Sequence, residues 1–301
     1  DGSLGPWATT TSSDGRTQHS VVTANGYVYI IGGNGYASVL YAKVKSDGNL
    51  DNWATSPNPL PATRRAHVSV IANGYLYVAG GVGNNTVLYS KLNKDGSTGS
   101  WTTSPNLLVA SAGRTEHGTV VANNYLYILG GSDEVAATTS VTYAKLNSDG
   151  SIGAFASTTA TPPSLFNRSA IVVANGYIYA TAGYSGQSYS AKINSDGTLG
   201  NWNVTTAYLG GSSSYAQSGV VVNGYIYVLG ANPGKDVYYA KLNSDGTIGT
   251  WRAANFMPAA KSGQSNQAVT VNGYIYYVGG GTGAESATIY YASAARTLIS
   301  G

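Results

Sequence analysis

The chain is a six-fold repeat whose register is split between its two ends. The turn Asn-Gly-Tyr starts at Asn25, Asn73, Asn175, Asn223 and Asn272, with Asn123-Asn124-Tyr125 as a variant, so successive copies lie 48, 50, 52, 48 and 49 residues apart. A second landmark, Tyr-Ala/Ser-Lys, falls at Tyr41, Tyr89, Tyr143 and Tyr239, with variants at Tyr189 and Tyr291. A third is Asp-Gly followed by an aromatic. It pairs Asp1 with Trp7, Asp47 with Trp53, Asp95 with Trp101, Asp149 with Phe155, Asp196 with Trp202 and Asp245 with Trp251. The first of these segments precedes the first full copy, whereas the sixth copy stops at Tyr290-Tyr291-Ala292-Ser293 without one. A closed ring of repeats satisfies both ends. The period therefore overrides the two domains that length alone suggests.

Each copy reads as four strands. Val21 to Ala24 is a short apolar run ending at Asn25-Gly26, the signal of a type I′ hairpin. Tyr27-Val28-Tyr29-Ile30-Ile31 follows and ends at Gly32-Gly33; then come Val39 to Val44, a Ser46-Asp47-Gly48 turn and a short strand around Trp53. The second strand is apolar on both faces, so both must be covered. Sheets stacked around an axis, each between two neighbours, meet that demand. No apolar stripe of helical period has useful length, so helix is expected to be nearly absent. The expectation is one all-β domain over 1–301: a six-bladed β-propeller of four-stranded antiparallel blades. Its blades fall at about 14–58, 62–107, 112–160, 166–207, 214–255 and 262–299. Residues 1–10 supply the outer strand of the last blade and close the ring.

Before the Asn-Gly-Tyr turn, three copies carry Arg and His at fixed offsets: Arg16 with His19, Arg64 with His67, and Arg114 with His117. Together with Tyr29-Ile-Ile-Gly-Gly and Trp53, the stretch Arg16-Thr-Gln-His-Ser-Val-Val resembles the Kelch repeat, whose period is about 50 residues. The likeness runs through the whole chain. Copy four departs with Ala182-Gly183 and Ser169, copy five with Gly230-Ala231 and Gln217, and copy six with Asn266. The Lys-Leu-Asn-Ser-Asp-Gly-Thr-Ile-Gly-Thr-Trp cassette is not part of the ordinary repeat and has a bacterial look. The resemblance implies the fold; it does not carry a ligand with it.

Composition bears on compartment and partners. The chain has no Cys, one Met and few charged residues, and is rich in Tyr, Ser, Thr and Asn. That suits an oxidising exterior, and the expected place is the cell surface or the extracellular space. No segment reads as a signal peptide or a membrane span, so membrane insertion is not expected. The missing initiator Met reads as a mature or excised portion of something longer, so the protein is expected as a monomer or part of a larger chain. A net charge of +3 without Lys/Arg runs argues against nucleic acid as partner.

The repeated landmarks have structural explanations. Asp47 and its counterparts are turn residues before Gly, and no Asp-x-Asp-x-Asp spacing for calcium occurs. In such blades the Asn-Gly-Tyr and Asp-Gly turns share one face, nearly identical in every copy. The opposite face carries the loops between second and third strands and the connections between blades. It gathers Tyr36, Asn84, Asn85, Asp133, Glu134, Tyr184, Gln187, Asp236 and Glu285 from the loops. The connections add Arg64, Arg65, Arg114, Glu116, Phe166, Arg168, Tyr208, Tyr215, Phe256 and Lys261. Aromatics, Arg and amides on variable loops over a rigid ring describe a recognition surface. From this set the expected ligand contacts are Tyr36, Arg64, Arg114, Glu116, Phe166, Arg168, Tyr184, Tyr208 and Tyr215, with Arg16, His19, His67 and His117 at the channel mouth.

Copies five and six contribute no Arg at the offset of Arg16, Arg64 and Arg114, so one reading is a half-cationic mouth that favours an acidic ligand. The favoured reading is that these side chains pin the connections by bonding backbone carbonyls. The leading functional expectation is a non-catalytic binding or adhesion module for a protein or glycan. A second is a glycan-active hydrolase or lyase drawing on Glu116, Asp133, Glu134, Asp236 and Glu285; a third is a structural spacer. No cofactor is expected, since a copper-radical site needs a Cys. No metal is expected either, because His19, His67 and His117 on adjacent blades lie about a nanometre apart, against about 2 Å from ligand to zinc.

Overall fold

The computed structural model describes residues 2–106, 108, 113–181, 186–208, 218–230, 234–261, 267–280 and 286–294. They form six four-stranded antiparallel sheets in a ring, with no helix among them. Blade one is β2 (Ser20–Ala24), β3 (Tyr27–Ile31), β4 (Val39–Lys43) and β5 (Ala54–Thr55). Blade two is β6 (Val68–Ala72), β7 (Tyr75–Ala79), β8 (Val87–Leu92) and β9 (Thr98–Thr103). Blade three is β10 (Gly118–Ala122), β11 (Tyr125–Leu129), β12 (Val141–Lys145) and β13 (Ala156–Ser157). Blade four is β14 (Ala170–Ala174), β15 (Tyr177–Thr181), β16 (Ser188–Lys192) and β17 (Asn203–Val204). Blade five is β18 (Ser218–Val222), β19 (Tyr225–Leu229), β20 (Val237–Lys241) and β21 (Arg252–Ala253). Blade six is β22 (Ala268–Val271), β23 (Tyr274–Val278), β24 (Ser286–Ser293) and, from the other end of the chain, β1 (Ala8–Arg16).

The ring closes through that last pairing, with Ala8 opposite Tyr291 and Thr10 opposite Ile289. β1 continues past residue 10 to Arg16, which pairs with Ser286 after a bulge. Residues 14–16, expected to open blade one, thus end the outer strand of blade six. Ser12 Oγ donates to Ala287 O at 3.2 Å and helps carry the strand onward.

The hairpins follow from turn chemistry. Asn25 and Gly26 have φ of 51° and 79°, both positive as a type I′ turn requires. The core lies between blades. At one seam Tyr29, Ile31 and Val39 of blade one bury against Leu76, Val78 and Leu88 of blade two, with Leu60 of the connection over them. Each second strand faces two such seams, which is why it is apolar on both sides.

The two recurring turns interlock neighbouring blades. Tyr77 Oη donates to Gly150 O at 3.1 Å and Tyr127 Oη to Gly197 O at 2.8 Å. Tyr227 Oη donates to Gly2 O at 3.0 Å, and Tyr276 Oη to Gly48 O at 2.6 Å. In each case the second Tyr of Tyr-x-Tyr reaches the Asp-Gly turn of the next blade. The first Tyr of the motif covers the same glycine: a Cβ on Gly48 would lie 2.5 Å from the Tyr274 ring. Tryptophans bridge the outer strands, Trp53 Nε1 donating to Thr11 O and Trp101 Nε1 to Asn58 O, both at 3.0 Å.

Candidate functional site

The face opposite these turns is built from the 2–3 loops and the connections. The diglycine sets its geometry. Gly32 has φ +57°, and a Cβ there would sit 2.6 Å from Arg64 O and 2.9 Å from His67 Cε1 of the next blade. Gly80 meets Arg114 O and His117 in the same way, and Gly279 meets His19. Each diglycine therefore makes room for the Arg-x-x-His segment of its neighbour.

That seating corrects the expected channel mouth. Arg16, Arg64 and Arg114 are buried. Arg16 Nη1 donates to Gly32 O (3.0 Å) and Ser38 O (3.1 Å), its other nitrogens grip Asp14, and Tyr36 lies 4.2 Å from its Cζ. Arg64 Nη1 donates to Gly80 O (3.0 Å) and Thr86 O (3.2 Å), and burial pulls its pKa down to about 10. Arg114 Nη2 donates to Ser140 Oγ at 2.6 Å, and burial lowers its pKa. These guanidiniums pin loops.

The fourth member of the set is Lys261, which the sequence offset concealed. Its backbone N–H donates to Gly234 O at 2.9 Å, as those of Arg64 and Arg114 donate to Tyr36 O and Asn84 O. Its Nζ donates to Ser286 Oγ at 2.8 Å. Copy six therefore does contribute a cation; a longer connection shifts it along the chain. Phe166 stands at the same offset in copy four, 2% exposed, with its ring 5.0 Å from Trp202. Tyr208 is 5% exposed, edge-on to Trp251. Both were expected among surface contacts and both belong to the seams. Tyr184, Tyr215 and Glu285 lie outside the described residues.

His19, His67 and His117 are buried beneath the diglycines and stay neutral. Burial, aided by the neighbouring Arg16, Arg64 and Arg114, pulls their pKa values down to about 4, 3 and 4. His19 Nε2 donates to Val278 O at 3.1 Å, and His117 Nδ1 bonds Thr119 Oγ1 at 2.8 Å. No group of three or more His, Asp or Glu suited to a metal occurs among the described residues.

At the mouth itself stands a collar of left-handed residues, each one place before the His position: Gln18, Ala66, Glu116 and Arg168, with φ of 56°, 54°, 57° and 53°. Non-glycine residues hold this conformation at a cost. Here hydrogen bonds between blades maintain it, Ala66 N–H to Gln18 O at 2.9 Å and Arg168 N–H to Glu116 O at 3.1 Å. The side chain differs at each of these four positions. Glu116 is ion-paired with Arg168, and Arg65 Nη1 donates to Gln18 Oε1 at 2.9 Å. Beyond the collar, Phe256 is 46% exposed and Val135, which sequence reading passed over between Glu134 and Ala136, is 89% exposed.

The loop-face carboxylates hold loops together. Asp133 Oδ1 accepts the N–H groups of Val135 (3.1 Å) and Ala136 (2.9 Å), and these bonds hold its pKa below the usual carboxylate range. Glu134 Oε1 accepts the Gly83 N–H. Along the axis runs an open cavity of about 330 Å³, lined mainly by valines such as Val22, Val70, Val120 and Val269.

No family model matches the chain, and no curated protein matches it in sequence. Among solved structures, the one titled "Structure of YjhT" is similar in fold, with a TM-score of 0.73 at 13% identity, covering 94% of each chain. A likeness at that identity is one of fold: the six-bladed propeller.

Proposed function

We propose that the chain is a non-catalytic recognition module, a Kelch-type propeller of bacterial type displayed outside the cell, that binds a protein or glycan through its loop face. One contrast carries this reading. On the Asp-Gly face a Tyr ring covers the turn glycine of the next blade at every seam, while the loop face places a different side chain at each of the four described collar positions. Variation over a rigid frame is how a fixed scaffold acquires a specific ligand.

The hydrolase reading is less well supported. Glu116 is paired with Arg168, Glu134 is bonded to Gly83, and Asp133 closes its own loop. These contacts engage the carboxylates that glycoside cleavage would need free to face a sugar.

The test joins a glycan array with a pull-down from surface extracts, both repeated with Tyr36, Arg65 and Phe256 replaced together by Ala. Binding should fall at least about tenfold, as loss of central aromatic and Arg contacts does. Undiminished binding by a folded triple variant would remove the loop face from consideration. Polysaccharide turnover abolished by Glu116→Gln would favour the hydrolase instead.

A further inference from the structure

We propose that the seam between blades one and two contains a carboxylate-binding site formed by the Gly35 N–H, Thr63 and Arg65. This deepens the loop-face reading above and rests on it.

The argument is internal to the repeat. Gly33-Asn34-Gly35-Tyr36 and Gly81-Val82-Gly83-Asn84 are the same turn in successive blades. Asn34 and Val82 donate their N–H to Thr17 O and Arg65 O at 3.0 and 3.1 Å. Tyr36 and Asn84 donate theirs to Gly33 O and Gly81 O at 3.1 and 3.0 Å. Arg64 and Arg114 close the two turns on Tyr36 O and Asn84 O at 3.2 and 3.1 Å.

In the seam between blades two and three, this turn is occupied by a carboxylate of the protein itself. Glu134 reaches over from the loop of blade three, and its Oε1 accepts the Gly83 N–H at 2.5 Å. Gly113 leaves the space, since a Cβ there would lie 2.5 Å from that oxygen.

One seam earlier no described residue takes that role. Asn84 stands as far beyond Gly80-Gly81 as Glu134 stands beyond Gly130-Gly131. It turns back into its own blade, where Oδ1 accepts Arg64 Nη2 at 3.1 Å and Nδ2 donates to Val82 O at 2.8 Å. A cavity of about 240 Å³ remains, lined by Gly33, Asn34, Gly35, Thr63, Arg64 and Arg65 together with Val82.

Three substitutions in the lining of this cavity add polarity or charge. Thr63 replaces Gly113, Asn34 replaces Val82, and Arg65 replaces Thr115. The Arg65 guanidinium is positioned by Gln18 through one Nη1 contact, and a guanidinium has five N–H donors in a planar fork matched to carboxylate. The ligand class is therefore a small carboxylate, free or as the acidic group of a larger molecule. The cavity has room for a body the size of a sugar acid and lies below the roughly 300–1,000 Å³ of drug-sized pockets.

The test follows backbone amide signals by NMR in the full chain, with acetate, glucuronate and uncharged glucose as probes. Acetate and glucuronate should move the Gly35 amide downfield and leave Gly83, already bonded, in place; glucose should move neither. Arg65→Ala should weaken glucuronate at least tenfold. In Glu134→Ala the Gly83 amide should shift upfield and then respond to acetate, because the second site has been vacated. A Gly35 amide that ignores both acids well above millimolar concentration would overturn the proposal, as would unchanged glucuronate binding in Arg65→Ala. If a ligand from the array is lost in the Tyr36, Arg65 and Phe256 triple variant yet survives Arg65→Ala alone, this site fails while the loop-face reading stands.

Discussion

A buried imidazole decides how each of the first three blades meets the blade before it. His19, His67 and His117 fill the space that a diglycine leaves open, and they do so uncharged. Folding lowers their pKa from about 6.5 to about 4, and to about 3 for His67, so below pH 6.5 the unfolded chain takes up protons that the folded chain refuses. Their contribution is complete above pH 6.5 and is lost as pH falls toward 4. The slope is up to about 1.4 kcal/mol per pH unit for each histidine. Urea midpoints measured from pH 7 to pH 4.5 should fall steadily. His67→Gln, the residue that copy five carries at Gln217, should remove roughly a third of the slope if the three act alike. A flat profile would mean that these histidines are solvated. The Arg and His offsets were legible in the sequence; their burial was not, because it depends on glycines contributed by the preceding repeat.

At the scale of the element, the seam is the unit that carries stability. The Tyr-x-Tyr strand and the Asp-Gly turn are both plain in the sequence, yet each looks self-sufficient there. Only in the ring does Tyr127 meet Gly197, a residue of the following blade. The same comparison exposes unequal seams. Tyr29 Oη and Tyr179 Oη, at equivalent positions, have no partner, nor do the buried hydroxyls of Thr181 and Ser188. Thr181 and Ser188 stand opposite each other, where blade one has Ile31 and Val39. Tyr127→Phe should therefore cost about 1 kcal/mol, leaving Gly197 O without its donor, while Tyr179→Phe should be neutral or slightly stabilising. Chemical denaturation of the two variants side by side is the check. Equal losses would show that the hydroxyl does not act as a latch. Loop length hid Lys261 in the same way, since an offset counted along one copy fails when a connection lengthens.

For the molecule as a whole, closure by β1 is the decisive contact. Leu4 is buried among Tyr227, Met257 and Tyr290, and Trp7 Nε1 donates to Asn255 O at 2.8 Å. Deleting residues 1–10 leaves Arg16 in place but removes Leu4, Trp7 and the strand partners of Ile289, Tyr290 and Tyr291. The loss should amount to several kcal/mol, lowering Tm by about 10 °C or more for a domain of this size. A Tm unchanged by the deletion would reject closure through this strand.

The sequence by itself determined the number of blades, the strands within each, the hairpin turns and the origin of the closing strand. All of these follow from periodicity, turn chemistry and a repeat split between the termini, which are properties of local order along the chain. The tertiary structure alone decided which side chains reach solvent. Arg16, Arg64, Arg114, Phe166 and Tyr208 sit on connections that read as surface, and every one of them is buried. Carbonyls and hydroxyls 16 to 26 residues further along the chain receive the arginines, and a neighbouring tryptophan packs against each of the two aromatics. The vacancy beside Gly35 is legible only because the fold superposes it on the filled site at Gly83, where Glu134 shows what the missing partner is made of. Burial and vacancy depend on what the adjacent blade presents, and that pairing exists only once the ring is closed.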